Sequence, residues 1–293
     1  MNIKLFRLSL ALASSLIATP ALFAQSSAPK VDFPAASPGC TIKQHVGLSD
    51  IEIVYSRPGI KNRKIFGGLV PYDKVWRTGA NSATKITFST AVKLEGHDIP
   101  AGSYELFTIP GENEWTVIIN KAKGQWGAYS YNEKDDLVRF KVSPVQLAEQ
   151  IETFTIEFND IRDESAILNL VWDHTVVPIN IEIPLTDKLV PQIETAMASP
   201  DKKSAGLYFQ AATFYYNHGQ DLHKALDWVN TGLADNPNIA FELYHLKAQI
   251  LAKQGDKDGA IAAAKKSSEL AVQFEGADSP FVKMNQEIIS SLQ

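Results

Sequence analysis

Cysteine is almost missing from this chain: Cys40 is the only one in 293 residues, so no intramolecular disulfide can form. After the first two dozen residues no apolar run approaches the roughly 18 residues of a membrane-spanning helix. No HxH, HExxH or paired-cysteine spacing occurs, which removes metal ligation by a local motif. GxSxG, a P-loop and GxGxxG are equally absent, so no sequence-local nucleophile or nucleotide cradle exists and no cofactor is expected. Positive charge is short as well. The 28 basic residues face 33 acidic ones, a net −5, which argues against general nucleic-acid binding.

The first residues read as a secretory leader over 1–24. Lys4 and Arg7 precede an apolar run from Leu8 to Ala18, and Leu22-Phe23-Ala24 ends on a small residue, placing cleavage before Gln25. Removal of Lys4 and Arg7 leaves 26 basic against 33 acidic residues, a net −7. The protein is therefore expected to be exported, periplasmic or secreted, with no membrane span after cleavage. Cys40 lies too far from the cleavage point to carry a lipid and reads as a structural thiol. Without a disulfide, cohesion must come from core packing.

Two periodicities divide the rest, and the expected fold class is α+β. Over residues 25–187 apolar residues alternate or form short runs bounded by turns. Strands are expected at Ile51–Tyr55, Lys85–Phe88, Tyr104–Thr108, Glu114–Ile119, Val138–Val142, Glu152–Phe158, Ala166–Trp172 and Val176–Ile183. The turn Pro110-Gly111-Glu112-Asn113 makes the third and fourth of these a hairpin. About nine strands with no helix between them imply an antiparallel sandwich or barrel. Over 188–293 the period is helical. Ser204–His218 pairs with Asp221–Ala234, Ile239–Lys253 pairs with Asp256–Phe274, and Ser279–Leu292 caps the series. Segments beginning at Ala225 and Ala260 repeat at 35 residues, which suggests tetratricopeptide-like hairpins, with Asn236-Pro237-Asn238 as the stop after the second helix.

The stretch from Tyr55 to Lys85 concentrates the positive charge. Arg57, Lys61, Arg63, Lys64, Lys74, Arg77 and Lys85 face one acid, Asp73, among turn-forming residues and Tyr55, Tyr72 and Trp76. Arg57, Arg63 and Arg77 offer fork-shaped donors, Asn81 an amide, and Trp76 or Tyr72 a stacking face, which together suit a small anionic or carbohydrate ligand. The competing reading has these arginines bonded to carbonyls and acids of their own fold, with Trp76 in the core. Convergence of two guanidinium groups on an open cleft separates the two. Trp115, Trp126, Tyr129 and Tyr131 are a possible aromatic platform for sugar rings or, alternatively, core residues. His97 is expected in a hairpin turn before Pro100. The acidic loop from Asn159 to Glu164 lacks the oxygen-ligand spacing of calcium loops and reads as a solvated turn.

Several segments resemble a family of exported bacterial proteins catalogued as domain of unknown function 2911. They are Tyr55-Ser56-Arg57-Pro58, Arg63-Lys64-Ile65-Phe66-Gly67, Leu69-Val70-Pro71-Tyr72, Val75-Trp76-Arg77-Thr78-Gly79-Ala80-Asn81, Ala101-Gly102-Ser103-Tyr104, Phe107-Thr108-Ile109-Pro110 and Gln125-Trp126-Gly127. The resemblance covers residues 35–185 and implies export, but no chemistry. Asn62 and Asp73 stand where the family pattern has glycine. Asn and Asp tolerate left-handed backbone best, so both positions are predicted to have positive φ.

The leading functional expectation is a non-enzymatic exported protein whose β half binds a small polar or anionic ligand and whose helical tail docks a protein. The alternative is an enzyme acting on a carbohydrate or other extracellular polymer, with Arg77, Asn81 and a carboxylate such as Glu105 at the reacting centre. A structural role in the cell envelope is the third.

Overall fold

In the computed structural model the described residues are 32–235 and 239–293. The expected leader and the Asn236-Pro237-Asn238 stop lie outside them. Ten strands come first, all paired antiparallel. They are β1 Gly39–Val46, β2 Ser49–Ser56, β3 Thr84–Phe88, β4 Val92–Leu94, β5 His97–Ile99, β6 Gly102–Ile109, β7 Trp115–Asn120, β8 Asp136–Val142, β9 Val145–Asn159 and β10 Ser165–Glu182. A six-stranded sheet runs β1-β2-β3-β6-β7-β8 and a four-stranded sheet runs β5-β4-β10-β9. Both are open, so the barrel alternative is corrected: β1 and β8 stay unpaired edges of one sheet, β5 and β9 of the other.

Alternation explains why the sheets face each other. Ile51, Ile53, Ile86, Leu106, Val117 and Ile119 of the larger sheet meet Phe154, Ile156, Leu168, Leu170, Trp172, Ile179 and Ile181 of the smaller in one buried cluster. At its centre Phe66, Trp76, Trp115, Phe154 and Trp172 pack mostly edge to face, with centroids 5.0 to 6.3 Å apart. The outer face at β6 and β7 is covered too. Ala83, Phe107 and Ile118 form a second, smaller cluster beneath Ala128 and Tyr131.

Several expectations shift. The two strands expected over Ala166–Trp172 and Val176–Ile183 are one strand, β10, whose ladder to β9 slips around Asp173 at φ 54°. His97 is not in the turn but opens β5. The turn is Glu95-Gly96, with φ 47° and 78°, the left-handed pair a two-residue hairpin requires. Asn62 and Asp73 both have φ 57°, as the sequence predicts.

Six helices follow: α1 Thr186–Ala198, α2 Ala205–Asn217, α3 Leu222–Asp235, α4 Ala240–Gln254, α5 Lys257–Glu275 and α6 Pro280–Leu292. The last five match the sequence reading, and α2, α5 and α6 start on side-chain caps. Ser204 Oγ accepts from Leu207 N at 3.1 Å and Asp256 Oδ1 from Gly259 N at 2.9 Å. Ala212, Ala225, Ala248, Ala260 and Ala264 are wholly buried where helices cross. No helix is expected ahead of Ser204, yet α1 forms there and carries Pro191 inside it. The helices join the sheets through Leu185 and through Leu189 and Phe214, which pack on the β core, and through contact between Glu164 and His218. No helix among the described residues is long and apolar enough to cross a membrane.

Candidate functional site

Between β2 and β3 the chain makes a long excursion whose turns place Arg63, Trp76, Arg77 and Asn81 around one cleft of about 270 Å³. Trp76 is set first. It pairs with Thr108 of β6 through two backbone hydrogen bonds of 2.7 and 2.9 Å, and its indole N–H donates to Gly79 O at 3.0 Å. Its ring is 8% exposed and stacks on Trp172 at 5.8 Å, so it is a core residue, and these two indoles also line the cleft.

Positive φ follows at the next residues, with strain at Thr78. Thr78, wholly buried and β-branched, holds φ 53°, Gly79 φ 151° and Asn81 φ 60°. Positive φ at a β-branched residue costs on the order of 1–3 kcal/mol and persists only where surroundings over-determine it. Here Thr84 Oγ1 donates to Thr78 O at 2.6 Å and Thr78 Oγ1 meets Thr108 Oγ1 at 3.0 Å. Arg77, between two buried neighbours, lines the cleft. Its Nε is buried and has no hydrogen-bond partner among the described residues. Arg63 is held differently. Nε and Nη2 donate to Ile60 O (3.0 Å) and Gly59 O (2.7 Å) of its own turn, which fixes the guanidinium plane and leaves further donors. Asn81 Nδ2 lies 3.2 Å from both Ser37 O and Ser56 Oγ, fastening the segment before β1 to the cleft wall.

Two expected ligand residues stand elsewhere. Arg57 ties β2 to β9, donating from Nε to Phe154 O (3.1 Å) and from Nη2 to Thr155 Oγ1 (2.7 Å), and does not line the cleft. Tyr72 packs its ring across Gly67, where a Cβ would come within 2.6 Å of it, and does not line the cleft either. None of the three arginines is paired with an acid, and no Asp, Glu or His lines the cleft among the described residues. A concave site with two cations and no counter-ion, in an acidic protein, focuses positive potential.

The segment 121–132 passes beside the cleft and supplies its rim at Gln125 to Gly127. Gln125 to Gly127 run beside Asn81 to Ala83, with Ala83 N donating to Gln125 O (2.9 Å) and Gly127 N to Asn81 O (3.0 Å). From beneath, buried Glu105 accepts from Gln125 N at 2.8 Å. That carboxylate, named for an enzyme, lies under the rim and not in the cleft. At the far end Tyr131, Asp136 and Arg139 lock together. Tyr131 Oη donates to Asp136 Oδ2 at 2.8 Å, Arg139 Nε reaches the same oxygen, and Asn120 Nδ2 holds Oδ1 at 2.7 Å. Burial, reinforced by the Asp136 carboxylate, pushes the Tyr131 phenol up to about 12.

The four aromatics proposed as a platform are divided by this arrangement. Trp115 is core, and Tyr131 packs on Phe107 at 5.1 Å. Trp126 and Tyr129 remain 64% and 86% exposed. In the acidic loop, Arg162 donates twice to Asp160 Oδ1 (3.0 and 2.7 Å). No group of three or more His, Cys, Asp or Glu among the described residues is placed to hold a metal ion.

Residues 37–181 match the family model described as protein of unknown function (DUF2911). That part of the chain belongs to this family. No curated protein matches the chain. Every lining residue of the cleft, from Ser37 to Trp172, falls within the DUF2911 segment. The stretches at 55–58, 63–67, 69–72 and 75–81, which carry the resemblance, meet around this cleft, and 125–127 supply its rim. Sequence reasoning missed Ser37, Leu69 and Trp172. Leu69 lay inside a DUF2911 motif. Trp172 is 95 residues from Arg77, and only the fold brings them together.

Proposed function

We propose that the chain is an exported, non-enzymatic binding protein whose DUF2911 cleft holds a small anionic or carbohydrate ligand. The observation that carries this reading is that Arg63 and Arg77 line one open hollow with Asn81, and neither is neutralised by an acid. A buried guanidinium N–H without a partner costs about 1–3 kcal/mol, which an anionic group accepting from it would offset. Backbone strain at β-branched Thr78, φ 53°, directly after cleft-lining Arg77, supports a site more than a turn built for stability alone. The helical half, read as tetratricopeptide-like hairpins, provides a surface for a protein partner. Exposed Val272 and Phe274 on α5 support that role.

Thermal-shift titration with acetate, inorganic phosphate and simple sugars tests the cleft. A ligand at a hundred times its Kd stabilises by about 2.7 kcal/mol. At least one anion is expected to raise Tm, Arg77→Ala to abolish the rise, and Arg57→Ala to lower the starting Tm while leaving the rise intact. A panel without hits, or hits indifferent to Arg77→Ala, removes the cleft as a ligand site.

A further inference from the structure

The rim narrows the class of ligand. Tyr129 and Trp126 are large rings left 86% and 64% exposed, although the same short segment buries Ala128 and Tyr131 against the outer face of the sheet. They are not loosely held. Gln125, Trp126 and Gly127 are fixed by pairing with Asn81 to Ala83 and by the Glu105 carboxylate. Tyr129 also stands beside the cationic wall. A Cβ built on Gly127 would lie 2.6 Å from the Tyr129 ring and 3.5 Å from Arg77 Nη1, so ring and guanidinium flank one point. Leu69, which lines the cleft itself, is another exposed apolar side chain, 46% open.

A bare inorganic anion has no use for such surfaces. Resting on the cleft reading above, we infer that the ligand is an acidic saccharide. Its carboxylate sits between Arg77 and Arg63, and its adjoining sugar ring lies on Tyr129, with Trp126 beside it for the next unit. The chemistry matches on both sides. A carboxylate presents two oxygens to a guanidinium fork. The C–H face of a pyranose is apolar with slight positive charge, and it suits the electron-rich face of an aromatic ring. Both rings stand open to solvent and are not enclosed in a slot. A stacked sugar keeps its hydroxyls in water there, whereas a nucleobase gains most when both of its faces are covered.

The test is a titration with hexuronate oligosaccharides, the same oligosaccharides with carboxyl groups reduced to alcohols, acetate, and uridine monophosphate, on the full chain and on Tyr129→Ala, Trp126→Ala and Arg77→Ala. Both aromatic variants change exposed side chains, and unchanged Tm checks that they fold. Expected are binding of the uronates, loss of at least about tenfold on carboxyl reduction or in Arg77→Ala, and roughly threefold to tenfold weaker uronate binding in Tyr129→Ala. Acetate is expected to bind weakly and equally to the parent chain and Tyr129→Ala. If carboxyl-reduced sugars bind as well as the uronates, the inference fails. It fails too if acetate equals the uronates and Tyr129→Ala changes nothing, an outcome that leaves the general anion cleft standing. Tyr129-dependent binding of the nucleotide without uronate binding would assign the platform to a base. Absence of binding by every probe removes the inference and the cleft reading together.

Discussion

Gly127 decides where Tyr129 stands. Its φ of 70° is left-handed, and the space a Cβ would take is filled by the Tyr129 ring on one side and approached by Arg77 on the other. Gly127→Ala carries a backbone cost of about 1–2 kcal/mol. Because the ring is exposed, it would swing away and not clash. Urea denaturation is expected to show that modest loss, while titration shows ligand affinity falling at least to the level of Tyr129→Ala. Unchanged affinity would detach Tyr129 from recognition. At this scale the sequence is readable where a residue type signals its geometry. Asn62 and Asp73, in place of family glycines, both hold φ 57°. Thr78 gives no such signal, since its left-handed φ is imposed by Trp76, Thr84 and Thr108 from outside. The arginines were ambiguous for a related reason. Arg57, Arg63 and Arg77 are chemically alike, and only the fold assigns the first to β9 and the others to the cleft.

Elements were legible in proportion to how much apolar surface each buries. β2, β3, β6, β7 and α2 to α6 carry clear periods and stand where the sequence puts them. β1 does not announce itself: it is an edge strand with Val46 as its one buried residue, and it holds its place by pairing with β2 along its length. α1 was hidden by Pro191, which is tolerated because Val190 and Ile193 pack on the helical core and Leu189 on the β core. The rim segment has no period at all, and its order comes from its two anchors. At the Tyr131 anchor the folded chain keeps the phenolic proton up to about pH 12, while an unfolded tyrosine releases it near 10. Tyr131 therefore stabilises the fold fully below pH 10, and this contribution drains away as pH rises towards 12. Asp136→Asn removes the neighbouring negative charge, so the phenol should titrate earlier. Tyrosinate absorbance across this range checks it, and an unshifted titration would show that burial alone holds the proton.

Across the whole molecule, two cores meet through few side chains. Among the described residues, the β core and the first helical core share Phe214, which packs against both, and Leu185, Leu189 and the Glu164–His218 contact lie at the same junction. Phe214 also stacks on His218 at 3.9 Å, so one aromatic ring supports both the apolar and the polar link. The division near residue 187 was legible as a change of period, but the junction was not. Phe214 lies in α2 and His218 caps its C-terminus, and nothing in their spacing points to Glu164. So slender a junction transmits little unfolding free energy, because cooperative units follow contiguous buried surface. Calorimetry of the full chain is expected to show two overlapping transitions, with Phe214→Ala moving them further apart. A ligand in the cleft should raise the transition of the β half and leave that of the helices nearly still. If instead one transition moves as a unit in both experiments, the halves form a single cooperative body, and occupancy of the cleft would be felt directly by whatever docks on the helices.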